Sequence, residues 1–202
     1  MLNRFRAFWT KVLTPVARFL LRVGVSPDVV TLVGTLGVVT GALVFFPRGE
    51  LLTGVLVITA FVFSDLLDGT MARMSGSSSK WGAFLDSTLD RLGDAAIFGG
   101  LVLYFAGPGD SDLWSALALY CLVMGSVTSY ARARAESLGM EAKGGIAERA
   151  DRLVAILVMT GLSVLLDLPA LLPLTLGLLA VASTVTVLQR VLAVRSQAKA
   201  TA

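Results

Sequence analysis

No histidine occurs anywhere in the 202 residues. That absence removes imidazole general bases, histidine–carboxylate metal triads and Ser-His-Asp chemistry, and leaves any acid–base work to carboxylates. Cysteine is present once, as Cys121 in an apolar run, so no intrachain disulfide can form and the residue reads as a small packing side chain. Charge is scarce as well: Asp, Glu, Lys and Arg make up 15% of the chain, against about 25% in a soluble domain. The N-terminal run Met1-Leu2-Asn3-Arg4-Phe5-Arg6-Ala7-Phe8-Trp9 lacks a small-residue cleavage site and is not expected to be a removable signal peptide. No repeat relates the two halves of the chain.

What is abundant is apolar. Hydrophobic residues reach 55%, the mean hydropathy is +0.80, and several apolar runs extend for about 18 residues or more, the length needed to cross a bilayer. The expectation is an all-α membrane protein forming one domain over residues 1–202, with an interfacial helix at 2–23 and a six-helix transmembrane bundle at 28–194. In the first of these, Leu2, Phe5, Phe8, Trp9, Val12, Val16, Phe19 and Leu20 recur at helical spacing, while Arg4, Arg6, Lys11, Arg18 and Arg22 fill the other side. Such an amphipathic helix lies in the headgroup layer of an anionic leaflet. Ser26-Pro27-Asp28 reads as an N-cap with proline at the first helical position.

Of the seventeen Lys and Arg residues, only Arg48 falls on one side of a six-span arrangement. The remainder mark the cytoplasmic side, which therefore carries both termini. A multi-pass cell-membrane protein follows, with the lipid bilayer as its surroundings and no nucleic-acid partner.

Against this background four carboxylates stand out. Asp65 and Asp68 are spaced i,i+3 and Asp86 and Asp90 i,i+4, so each pair shares one helix face. Asp65 lies roughly 21 Å along the second span from Leu51, past the midplane of a ~30 Å core, which opens the cluster to the cytoplasm. The short 75–80 loop between spans two and three predicts antiparallel neighbouring helices with the two pairs at similar depth. Burying unpaired carboxylates costs several kcal/mol, so intramembrane acids point to function. Oxygen-only ligands favour Mg²⁺ or Mn²⁺, and two ions would neutralise four acids and clamp a phosphoryl group. A structural ion-pair network using Arg73 and Arg91 leaves two of the four acids unbalanced. Gly69, Ala72 and Gly82 are small where a ligand must approach, and Arg73 can meet a diphosphate with forked donors.

Asp65, Asp68-Gly69, Ala72-Arg73, eight intervening residues, Gly82, Asp86 and Asp90 together resemble the full motif of the CDP-alcohol phosphotransferases. The resemblance implies that Asp65, Asp68, Asp86 and Asp90 hold the metals and that Asp90 also serves as the base. Gly69, Ala72, Arg73 and Gly82, with Asp65 and Asp68, would receive the CDP moiety of CDP-diacylglycerol. Thr31 is placed near the nucleotide on the same ground. An acceptor hydroxyl would attack the lipid-side phosphorus and CMP would leave. A homodimer is implied too.

Further along, Ser129, Arg132, Arg134, Arg149 and Arg152 gather at the cytoplasmic ends of spans four and five, which suits a second anion. The runs around Ser129–Glu136 and Gly144–Leu153 are similar to the actinobacterial phosphatidylinositol phosphate synthase branch, whose acceptor is myo-inositol 1-phosphate. By that likeness Ser129, Arg132 and Arg152 hold the acceptor phosphate, with Arg190 or Arg195 closing the pocket. Glycerol 3-phosphate, the acceptor of phosphatidylglycerophosphate synthase, is the nearest rival. Arg91 and Asp94 are expected to form an ion pair behind Asp90. A cation-coupled transporter would place its acids at the midplane between internal repeats, and neither condition is met.

Overall fold

The computed structural model describes residues 2–76 and 79–200, with side chains from residue 12 onward except that of Asp65. The two-faced pattern expected of Leu2, Phe5, Phe8, Trp9, Arg4, Arg6 and Lys11 lies outside the described side chains. Every regular element among the described residues is helical: α1 (Leu2–Arg22), α2 (Pro27–Thr40), α3 (Leu51–Val62), α4 (Ser64–Ser75), α5 (Lys80–Ala106), α6 (Asp112–Ser137), α7 (Arg149–Leu165) and α8 (Leu171–Ala200). A π-helical turn over Gly41–Phe45 and a 3-10 turn over Phe46–Arg48 extend α2. Four segments are long and apolar enough to cross a membrane: Pro27–Arg48, Leu51–Ser75, Asp112–Ser137 and Leu171–Ala200. Leucines and valines such as Leu36, Leu56, Leu178 and Val181 point outward, a surface that suits lipid rather than water.

The helix starts follow from local chemistry. The Ser26 hydroxyl accepts from the Val29 amide at 3.4 Å with Pro27 at the first helical position, and Ser79 accepts from the Gly82 amide at 2.9 Å to open α5. At the start of α7, Glu148 and Asp151 form a reciprocal capping box. α4 ends on Gly76 at φ +66°, a backbone conformation glycine adopts without cost.

The second span is broken. α3 stops at Val62 and α4 restarts at Ser64, whose hydroxyl donates to the Phe61 carbonyl at 2.6 Å. A serine that bonds back to the preceding turn competes with the helical ladder and bends it. α2 presses against this bend through glycine: a Cβ on Gly34 would sit 1.8 Å from Ser64 Oγ, and one on Gly37 would sit 2.1 Å from the Phe61 ring.

The two most extensive helix pairings are α6 with α8 and α6 with α5, while α2 touches α3, α4 and α5, and α7 lies on α3 and α8. The main core gathers Phe46, Ile58, Ile97, Leu101, Ile156 and Leu176. A smaller cluster of Ala17, Val30 and Met71 seats α1 and α2 on α4. One expectation needs correcting: α4 and α5 are not a closely packed pair among the described residues, and α2 packs against both. Facing acidic surfaces repel and offer no dispersion contact, which disfavours close packing of these two helices.

Candidate active site

Among the motif acids whose side chains are described, Asp68 is the most enclosed, 7% exposed. Its Oδ2 accepts from the Thr31 hydroxyl at 2.6 Å, and the same hydroxyl stands 3.1 Å from the Pro27 carbonyl. The glycine-lined approach of α2 to the α3–α4 bend places Thr31 against Asp68. Asp86 is exposed on the facing helix α5, and Asp68 lies within electrostatic reach of both Asp86 and Asp90. Neither Asp68 nor Asp86 has an ion-pair partner among the described residues. Among the described residues no group of three ligating side chains converges there, and the Asp65 side chain lies outside them. Two unneutralised acids, one of them buried and fixed by a hydroxyl, fit a hard divalent cation.

Arg73 is exposed, and its Nη2 donates to the Thr70 hydroxyl at 3.1 Å rather than to a carboxylate. It therefore keeps its charge for a ligand. Open space surrounds Gly69, where a Cβ would meet only Arg73 Nη1 at 3.6 Å. Ala72 and Gly82 are half-buried. The indole of Trp81 donates to Asp28 Oδ2 at 3.1 Å, tying the start of α5 to the start of α2. Asp28 was legible in the sequence only as a helix-start residue, because Trp81 is 53 positions away.

Asp90 is placed differently from its fellows. Its Oδ1 is 2.8 Å from Arg149 Nη2, and its Oδ2 is 3.7 Å from Arg91 Nη2. Arg149 Nε in turn lies 2.9 Å from Asp94 Oδ1. The expected Arg91–Asp94 pair is present at 3.8 Å, yet Arg149 holds Asp94 more closely. Balancing the acids from Arg73 and Arg91 alone thus overlooked Arg149, which takes up Asp90. Four charged residues within Glu148–Arg152 at a helix start were the available signal, since the helix dipole disfavours a cation there unless a partner holds it.

Arg91 also donates to the Ser129 hydroxyl, which links α5 to α6. Arg152 is 2% exposed and donates to the Ala147 carbonyl at 3.0 Å. Arg190, 5% exposed, donates to the Gly144 carbonyl at 3.1 Å and the Thr128 carbonyl at 2.6 Å. Arg152 lies within electrostatic reach of Arg91, Arg149 and Arg190, with Asp94 the nearby counter-charge. Burying the guanidiniums of Arg152 and Arg190 near these other cations is costly without a further anion to share. Arg132 pairs with Glu136 at 2.9 Å on the exposed face of α6. Arg134 is exposed and donates to Ser137 at 3.3 Å, with no contact drawing it toward Arg152. Among the described residues no hydrogen bond or ion pair joins Arg195 to this group.

The segment between α6 and α7 is bound down rather than loose. The Ala147 amide donates to Thr186 Oγ1 at 3.0 Å, and Gln197 exchanges bonds with the Glu141 backbone at 2.8 and 2.6 Å. Gly145 has φ +130°, and a Cβ there would sit 2.2 Å from Thr186 Cγ2.

A sequence model of the CDP-alcohol phosphatidyltransferases matches residues 24–188. The chain is 55% identical over 204 residues to a phosphatidylinositol phosphate synthase of Streptomyces avermitilis, covering 98% of this chain and 84% of that one. Its fold superposes with a TM-score of 0.87 on the Mycobacterium tuberculosis phosphatidylinositol phosphate synthase crystallised with CDP-DAG bound, at 44% identity, covering 91% of this chain and 94% of that chain. The same Mycobacterium tuberculosis protein in complex with manganese and citrate gives a TM-score of 0.84 at 44% identity, covering 90% of this chain and 88% of that chain.

Proposed function

Because the chain belongs to the CDP-alcohol phosphatidyltransferase family, we propose that it transfers the phosphatidyl group of CDP-diacylglycerol to a hydroxyl of myo-inositol 1-phosphate. CMP is released and phosphatidylinositol phosphate is formed. The observation that carries the choice of acceptor is the buried arginine group of Arg152 and Arg190 beside Ser129 and Arg91, in a chain 55% identical to a synthase of that name. A free, uncharged alcohol would add no anion to a group in which Arg152 shares Asp94 with Arg91 and Arg149.

The donor half is formed by α4 and α5. Arg73, Gly69, Ala72 and Gly82 receive the diphosphate, and Thr31 orients Asp68. Asp68 and Asp86, with Asp65 and Asp90, would hold a divalent cation of the Mg²⁺ or Mn²⁺ type, two in number. When bound, such ions neutralise the diphosphate and polarise its phosphorus. Asp90 takes the proton of the attacking hydroxyl. The new bond joins that oxygen to the lipid-side phosphorus; the bond from this phosphorus to the CMP oxygen breaks, and CMP leaves with the electron pair. Arg73 disperses the charge that builds on the leaving phosphate. Ser129, Arg132, Arg152 and Arg190 anchor the acceptor phosphate, and Arg134 stands at the rim.

The cleft opens to the cytoplasm, with α5 and α7 completing six spans around one domain and α1 lying in the interface. A homodimer is part of the same proposal. Measuring CMP release from CDP-diacylglycerol with inositol 1-phosphate, glycerol 3-phosphate or free inositol tests the reading. Turnover with inositol 1-phosphate well above the other two is expected. Preference for glycerol 3-phosphate would make the chain a phosphatidylglycerophosphate synthase, and no release with any alcohol would defeat the transferase reading altogether.

A further inference from the structure

We infer that Arg149 is the positioning residue for Asp90, gripping the base from the helix that also carries the acceptor-binding Arg152. The inference rests on the reading of Asp90 as the base. The guanidinium of Arg149 spans two carboxylates on successive turns of α5: its Nη2 is 2.8 Å from Asp90 Oδ1 and its Nε is 2.9 Å from Asp94 Oδ1. Asp94 is buried, 8% exposed, and its other oxygen faces Arg91 at 3.8 Å. Asp94 therefore holds the arginine, and the arginine holds the base.

The arrangement has a stereochemical consequence. Arg149 engages Oδ1 of Asp90, which leaves the orientation of Oδ2 determined with it. Arg149 and Asp90 together line a cavity between α2, α5 and α7 with Thr35, Gly93 and Leu153, so the contact faces open space. It stands at the first position of α7, where the dipole opposes a cation, and its two acidic partners overcome that opposition. One turn further along α7, Arg152 is anchored to the Ala147 carbonyl. The same rigid helix thus sets the distance between the acceptor phosphate and the group that deprotonates the acceptor, which is what orientation catalysis requires. A lysine offers a single nitrogen without the fixed planar fork, so it holds two separate carboxylates less firmly.

Steady-state CMP release by the full-length enzyme in detergent tests the inference. Arg149→Ala is expected to lower kcat by about 10- to 100-fold, the usual cost of removing a group that orients an active-site carboxylate, with both KM values changed less than about threefold. Arg149→Lys recovers part of the loss. Asp94→Asn lowers kcat likewise, and the double variant is no slower than Arg149→Ala alone, because Asp94 acts through the arginine. An unchanged kcat overturns the inference. So does a raised KM for inositol 1-phosphate with kcat intact at saturation, which would make Arg149 a phosphate ligand, and so do additive losses in the double variant. Should Arg149→Ala not fold, Arg149→Lys and Asp94→Asn carry the same kcat-only criterion. Turnover by Asp90→Asn would instead refute the base itself; an inactive Asp90→Asn beside a normal Arg149→Ala would remove only the present inference.

Discussion

Thr31→Val is the sharpest test of how the donor half is built. Valine keeps the shape and β-branching of threonine but deletes the hydroxyl that reaches Asp68 Oδ2 at 2.6 Å. Both residues are buried, at 8% and 7% exposure, so no bulk water replaces the lost donor. A hydrogen bond to a charged group contributes about 1.5–3 kcal/mol. In a chain of this size each kcal/mol corresponds to about 2–4 °C in unfolding temperature, which places the expected loss at about 3–12 °C. Thr31→Ser restores the hydroxyl and most of that loss. Because Asp68 is also assigned to the divalent cation, removing the group that orients it should raise the Mg²⁺ or Mn²⁺ concentration needed for half-maximal CMP release by about 10- to 100-fold. Melting curves in detergent and a metal titration on the same preparations read both effects. A Thr31→Val protein with unchanged melting and an unchanged metal requirement would refute the claim that Thr31 supports Asp68.

Other consequences follow from the same geometry. Gly34→Ala puts a Cβ 1.8 Å from Ser64 Oγ and 2.8 Å from Ser64 Cβ; overpacking of this kind costs about 1–3 kcal/mol, and a lowered melting temperature with weakened CDP-diacylglycerol binding is expected. Arg190→Met frees the Gly144 and Thr128 carbonyls, so KM for inositol 1-phosphate should rise while KM for CDP-diacylglycerol stays constant. Gly145→Ala combines a φ of +130° with a 2.2 Å clash at Thr186 and should produce a similar acceptor defect by displacing the segment. Chelation with EDTA should abolish CMP release and Mn²⁺ should restore it, with circular dichroism unchanged, since the helix packing rests on apolar contacts such as Phe46, Ile58 and Leu101.

The carboxylate motif was legible because it is local: Asp65 to Asp90 span two helices, and helical spacing alone aligns each pair on one face. The helix starts were legible for the same reason, as Ser26 and Pro27 show. The bend at Phe63–Ser64 was not, because a serine that bonds back to its own helix looks like any other serine in an apolar run. The partner of Asp90 was hidden as well. Arg149 lies 59 positions on from Asp90, and no periodicity relates the two.

What the sequence determined by itself was the helical membrane character, the donor motif and the family, all set by composition and by spacings within a few turns. The tertiary structure decided which charges meet. It kept α4 and α5 from close packing by setting α2 against both, seated Thr31 on Asp68 through the glycines of α2, and turned Arg149 from one of several basic residues into the group that holds Asp90 and Asp94. It also bound Arg152 and Arg190 to the carbonyls of Ala147, Gly144 and Thr128. The division has a physical reason. Hydropathy and helical periodicity act between near neighbours along the chain, whereas the pairing of a buried charge depends on which distant side chain the packing of apolar faces brings within about 3 Å of it.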